Sequence, residues 1–179
     1  MKEGEPSKSE APIQLPEVSA EIDAMAAADQ EMRQKAIKEN SWDATIDARN
    51  TARMKEIIGK IGWPTAAKVG RDSSSNAWLL VQHADRDVQF QEQCLVLMKQ
   101  EPMSEVDPRN IAMLEDRVRV NSNQSQLYGT QYRAVNGEHK PLPIEDETNV
   151  DKRRKQMGLD TLEENIAAMY KAYGPPKQS

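Results

Sequence analysis

Apolar residues recur at helical spacing from Val18 onward, at Val18, Ile22, Met25, Ala26, Met32 and Ala36. This stripe predicts a first helix to about Glu39, with Ser19 near its start and Asn40 and Ser41 as its stop. A second stripe, Ile46, Met54, Ile57, Ile58 and Ile61, predicts a helix from about Asp43 to Ile61, closed by Gly62 with Pro64 beyond. Trp63 to Ser75, with Gly70 and three serines, reads as loop. In the next segment, Asn76 to Ala84, Trp78, Leu79, Leu80 and Val81 point to all sides of a helix and leave no face for water, so a buried central helix is expected. Asp87 can cap a helix from Val88 to about Gln100, which Pro102 ends. Asp107 followed by Pro108 opens another, with Ile111, Leu114 and Val118 on one face.

After Asn121 to Ser125 the period shifts toward extended chain. Leu127 to Val135, Asn136-Gly137 and His139 to Ile144 then read as a hairpin on a tight turn, with Pro141 and Pro143 restricting its second arm to an edge. Two last helices are expected: about Asn149 to Met157, closed by Gly158, and Thr161 to Tyr173, where Asp160 and Glu163 have the spacing of a capping box. The sum is a mainly α fold of six or seven helices around a buried central helix, with one small β-hairpin. Residues 1–17, with Pro6, Pro12 and Pro16 among charged and small residues, read as a flexible tail. Residues 18–173 read as a single helical domain, and 174–179 as a second tail.

Composition narrows the trades open to such a domain. Among 179 residues, 24 Lys and Arg stand against 29 Asp and Glu, a net charge of −5 that disfavours nucleic acid. The longest strictly apolar run is Ala77 to Val81, far short of the roughly 20 residues of a membrane span, so no membrane partner is expected. Met1 to Ser9 lacks the basic start and apolar stretch of a secretory signal, which points to the cytoplasm. Cys94 is the single cysteine, within Cys94-Leu95-Val96-Leu97-Met98, and reads as a buried structural thiol rather than a nucleophile.

Strung together, Gly62-Trp63-Pro64, Ala77 to Asp85 (AWLLVQHAD), Leu114-Glu115-Asp116-Arg117, Gln126 to Gln131 (QLYGTQ), Pro143-Ile144-Glu145-Asp146 and Val150 to Arg154 (VDKRR) form an ordered set of motifs. In these the chain resembles a family of small bacterial proteins filed as a domain of unknown function, over about Val18 to Tyr170. The resemblance implies no reaction and assigns no catalytic roles.

Candidate chemistry therefore rests on polar groups that meet apolar surface. Gln82 and His83 close the all-apolar helix, where a partly buried polar side chain needs a partner or a cavity. His83 reads either as a satisfied structural histidine or as an acid, base or ligand-binding group. Taking 100° per residue from Ile111, Glu115 lies at about 40°, beside the apolar stripe, as a half-buried carboxylate. Asp116 and Arg117 turn away toward solvent or an ion pair with another helix. Tyr128 and Gln131 reach a pocket near His83 if Gly129 marks where the hairpin passes the central helix. Asp146 is a cap, a turn residue or a wall of the same pocket. Arg153, in the cluster Lys152-Arg153-Arg154, is either on a solvated face or a fork for a carboxylate or phosphate.

Several sharper ideas are set aside. His83, Asp85 and Asp87 have metal-ligand types at alternate positions, but the aspartates fall where helix caps are expected, so no metal is expected. Gly70 to Ser75 lacks the Lys-Ser or Lys-Thr ending of a phosphate loop, and Ser73, Ser74 and Ser75 lack a Gly-x-Ser-x-Gly turn; no cofactor is implied.

Two functions remain. In the first, a small soluble protein binds a small anionic metabolite in a polar pocket and can serve metal-independent acid–base catalysis. His83 and Glu115 are its catalytic pair, and Gln82, Tyr128, Gln131, Asp146 and Arg153 bind the ligand. In the second, the same residues form a structural network in a non-enzymatic accessory or immunity-type protein that meets another protein chain.

Overall fold

The computed structural model describes residues 13–39, 43, 45–135 and 138–173. Eight α-helices and one two-stranded antiparallel sheet are present among them: α1 (Pro16–Glu39), α2 (Thr45–Ile61), α3 (Ala66–Val69), α4 (Arg71–Gln82), α5 (Val88–Gln100), α6 (Pro108–Asn121), β1 (Tyr132–Val135), β2 (Glu138–Pro141), α7 (Val150–Gln156) and α8 (Leu162–Tyr173). The fold is mainly α with one small hairpin, as the periodicity predicts. None of these helices is long and apolar enough to cross a membrane.

α4 is the hub, packing on α1, α2, α3, α5 and α6. Ala77, Leu80 and Val81 are buried on it, and they join Ile22, Met54, Trp63, Cys94, Met98 and Leu114 in one core. Trp78 and Leu79 are only partly buried at its edge. Burial pushes the Cys94 thiol up to about 12, so it stays protonated and inert.

Three boundaries differ from expectation. The stretch read as loop between Trp63 and Ser75 contains α3 and the first turn of α4, separated by Gly70 at φ +86°. Of its serines, Ser73 meets α1, where its small side chain allows a close approach: the buried hydroxyls of Ser19 and Ser73 share a hydrogen bond of 2.7 Å. At the other end of the expected tail, Leu15 N–H donates to Lys68 O at 2.8 Å and α1 starts at Pro16; residues 1–12 and 174–179 lie outside the described residues. The last capping box sits one residue later than expected. Thr161 N–H donates to Glu164 Oε2 (2.9 Å) and Glu164 N–H to Thr161 Oγ1 (3.2 Å).

The hairpin is shorter than predicted, pairing Tyr132 with Pro141 through Val135 with Glu138, and its Asn136-Gly137 turn lies outside the described residues. Leu127 to Gln131 are not strand because the carboxylate of Asp116 competes for their backbone. Leu127 N–H (2.6 Å) and Thr130 N–H (3.0 Å) both donate to it. Gly129 does mark a close approach, but to Leu162 and Ile144 rather than to α4. A Cβ there would lie 2.8 Å from Leu162 Cδ1 and 2.9 Å from Ile144 Cδ1, at φ +70°. Gly129→Ala is accordingly expected to cost about 2–4 kcal/mol from left-handed backbone and overpacking. The midpoint of urea unfolding measures it, and an unchanged midpoint would contradict this packing.

Candidate functional site

A cavity of about 690 Å³ opens where α2 faces the end of α4. α2 contributes Asp47, Ala48, Thr51, Ala52 and Lys55, α1 contributes Arg33, and α6 contributes Arg117. His83 and the turn Ala84 to Asp87 close the cavity from the end of α4. That turn is held from outside by Gln91 of α5. Gln91 is fully buried, and its side-chain amide donates to Gln82 O (3.1 Å) and lies 3.2 Å from Val81 O, the last carbonyls of α4.

Behind His83 stands Asp29, on α1 and fully buried. His83 Nδ1 lies 3.0 Å from Asp29 Oδ2 and 3.1 Å from Arg33 Nε, and Arg33 also grips Asp29 through Nε (3.1 Å) and Nη2 (3.2 Å). Nδ1 cannot both donate to Asp29 and accept from Arg33. Without a proton it would set its lone pair against a buried carboxylate, whereas Arg33 Nε–H already has Asp29 Oδ2 as an acceptor. We therefore assign the proton to Nδ1, donated to Asp29, which leaves the lone pair on Nε2. His83 is 15% exposed and lines the cavity, and Nε2 has no partner among the described residues. Burial pushes the Asp29 carboxyl up, but the hydrogen bonds from His83 and Arg33, with the charge of Arg33, outweigh this and hold it at about 2.

Arg33 reaches on to Asp47, Nη2 to Oδ1 at 2.7 Å, so one guanidinium ties α1, α2 and His83 together. Burial, only partly opposed by Arg33 and reinforced by Asp29, pushes the Asp47 carboxyl above its ordinary value. On the far side Arg117 Nη1 donates to both oxygens of Asp85, at 3.0 and 2.8 Å. Lys55 Nζ meets Asp87 Oδ2 at 2.5 Å and lies 5.5 Å from the centre of the Phe90 ring.

The other expected site residues stand elsewhere. Glu115 is turned to α5, where Lys99 Nζ donates to it at 2.7 Å, and Tyr128 Oη lies 3.5 Å away. Neither residue lines the His83 cavity, and the carboxylate that serves His83 is Asp29. Burial and the charge of Glu115 push the Tyr128 phenol up to about 12. Gln82 does not line the cavity, and its carbonyl accepts from Gln91, while Gln131 bonds to Thr130 Oγ1 (3.1 Å). Arg153 spends its fork on backbone, donating to Leu127 O (2.8 Å), Glu145 O (2.6 Å) and Asp146 O (2.9 Å). Asp146, at φ +47°, accepts from Asn149 Nδ2 at 2.8 Å as a turn residue. Asp116, expected at the solvated side of α6, is fully buried under the 127–130 loop. Among the described residues no three His, Cys, Asp or Glu side chains converge as a metal site would require.

The profile of one protein family matches residues 16–177, nearly the whole chain. The chain belongs to DUF6624, a family of unknown function. No curated protein and no solved structure matches it. For this DUF6624 chain the arrangement of side chains is thus the guide to chemistry. An imidazole fixed from behind by a buried carboxylate, and open in front to a charged cavity, can accept a proton from a bound molecule and return it. Asp29 and Arg33, which orient that imidazole, are not among the candidates that the sequence pattern singles out, although Asp29 falls on the stripe Ile22, Ala26, Met32 and Ala36 at a position where an apolar residue is the norm.

Proposed function

We propose that the protein binds a small metabolite bearing an anionic group in the cavity before His83 and serves metal-independent acid–base chemistry there. The observation that carries this reading is His83 itself, with Nδ1 anchored to buried Asp29 and Nε2 turned to a cavity large enough for a small molecule. Nε2 takes the proton, and the carboxylate of Asp29 stabilises the imidazolium that forms. Ala48 and Ala52 on α2, with Ala84 at the end of α4, give the cavity apolar lining, beside which charges interact more strongly than in open water.

A thermal-shift screen of small carboxylates, phosphates and amino acids against wild type and His83→Asn tests this. Asparagine retains an N–H for Asp29, so the variant is expected to melt within a few degrees of wild type. A ligand at about 100 times its Kd stabilises wild type by roughly 2.7 kcal/mol, a rise of about 5–10 °C. The shift is expected to vanish in His83→Asn. A variant that melts far lower, with no ligand shifting either protein, overturns the reading.

Glu115, Tyr128, Gln131, Asp146 and Arg153 favour the second function for their own region, that of a structural network in an accessory protein. The specific observation is that the Arg153 fork is filled by three backbone carbonyls.

A further inference from the structure

The cavity is electrically two-ended. At the His83 end, among the described residues lining the cavity, one cation, Arg33, faces Asp47 and the Asp29 behind it. At the other end Lys55, Arg86 and Arg117 face Asp85 and Asp87. Asp47 and Lys55 mark the two ends on one helix, eight residues apart, which at 1.5 Å per residue is about 12 Å. Between them α2 offers Ala48, Thr51 and Ala52, a waist without charge.

Hydrogen-bond polarity follows the same axis. Nε2 of His83 carries a lone pair, and Asp47 has Oδ1 committed to Arg33, so this end accepts. A carboxylate or phosphate placed there would meet a lone pair and an excess of negative charge. Donors prevail at the far end. Arg86 has no hydrogen-bond or ion-pair partner among the described residues, Lys55 spends one of its three N–H groups on Asp87, and Arg117 gives only Nη1 to Asp85. Burial, with Asp29 and Asp85 adding to it against Arg33 and His83, pushes the Asp47 carboxyl up, so a further cation beside it would be favoured.

We infer that the cavity takes a zwitterionic ligand, an amine at one end and an anionic group at the other, with the amine between His83 and Asp47 and the anion against Arg86 and Lys55. This rests on the ligand-binding reading above and sharpens it. The anionic group is a carboxylate or a phosphate, since both suit an arginine and a lysine. The amine is the group that hands a proton to Nε2.

Calorimetric titration of the full chain with a matched series decides the matter: 5-aminopentanoate, 3-aminopropyl phosphate, pentanoate, glutarate and pentylamine. The two aminated anions are expected to bind roughly tenfold tighter than pentanoate or glutarate, the worth of one charge-assisted hydrogen bond. Which of the two is tighter separates carboxylate from phosphate. Arg86→Gln, at an exposed position with no partner to lose, is expected to weaken every anion about tenfold and pentylamine not at all. Asp47→Asn is expected to weaken only the aminated compounds. If glutarate binds as tightly as 5-aminopentanoate and still fails with His83→Asn, the zwitterion inference falls and the ligand-binding reading stands. If Arg86→Gln leaves anion affinity unchanged, the inference also falls. If none of the five binds wild type at millimolar concentration, it falls regardless of the fate of the wider reading.

Discussion

Asp116→Ala is expected to lower stability by about 3–5 kcal/mol. The carboxylate is fully buried and accepts from Leu127 N–H (2.6 Å), Tyr128 N–H (3.0 Å), Thr130 N–H (3.0 Å) and Thr130 Oγ1 (2.9 Å). Burial pushes its carboxyl above the ordinary range, against the pull of these donors. Removing it strands three backbone N–H groups at a loop that Arg153 and Arg154 also hold, Arg154 Nη1 donating to Tyr128 O at 2.6 Å. Guanidinium denaturation measures the loss in free energy, and thermal unfolding reads it as a fall near 10 °C in melting temperature. Ligand shifts at the His83 cavity are expected to survive in the folded fraction. A cost below 1 kcal/mol would mean that the loop keeps its shape without this anchor.

The second large effect concerns Asp29. Its folded-state value of about 2 lies below the ordinary 3.8, so the group stabilises the fold when ionised. That stabilisation, about 2 kcal/mol, is fully present above pH 4 and is lost as the pH falls toward 2. Asp29→Asn is expected to remove this acid limb and to cost about 2–4 kcal/mol at neutral pH, because Arg33 and His83 lose a buried counter-charge. It also removes the acceptor that keeps the proton on Nδ1. The imidazole is then free to take the other tautomer, with Nε2 protonated, and ligand affinity is expected to fall even where the variant is folded. Stability profiles from pH 2 to 7, recorded for both proteins, check the first part. An acid limb of equal size in wild type and variant would place the titration on another carboxyl.

What the chain discloses and what it hides divide along physical lines. Helices with an intact stripe and a cap are legible: Asp87 accepts from Phe90 N–H at 3.0 Å and Asp107 from Arg109 N–H at 2.9 Å, as the sequence signals require. His83 was legible as a polar residue closing an apolar helix. Its partner was not, because pairing a carboxylate on α1 with an imidazole 54 residues later is a tertiary event. The available signal was Asp29 on an apolar stripe with Arg33 one turn on. Glu115 looked the better carboxylate only because the helical wheel of α6 is drawn from its own apolar residues. The same wheel puts Asp116 in water, since nothing in it shows the loop that covers that side. Gln91 and Arg153 act by capping carbonyls of distant segments, a use that leaves no periodic trace.

Long-range 15N NMR of the imidazoles tests the role of His83 most directly, with a His139→Gln sample to assign the two rings. The expected result is a protonated Nδ1 and an unprotonated Nε2 at pH 7, with the Nε2 resonance moving when 5-aminopentanoate is added. A protonated Nε2, with Nδ1 accepting from Arg33 and no response to any ligand in the series, would contradict a proton-accepting site and make His83 a structural residue.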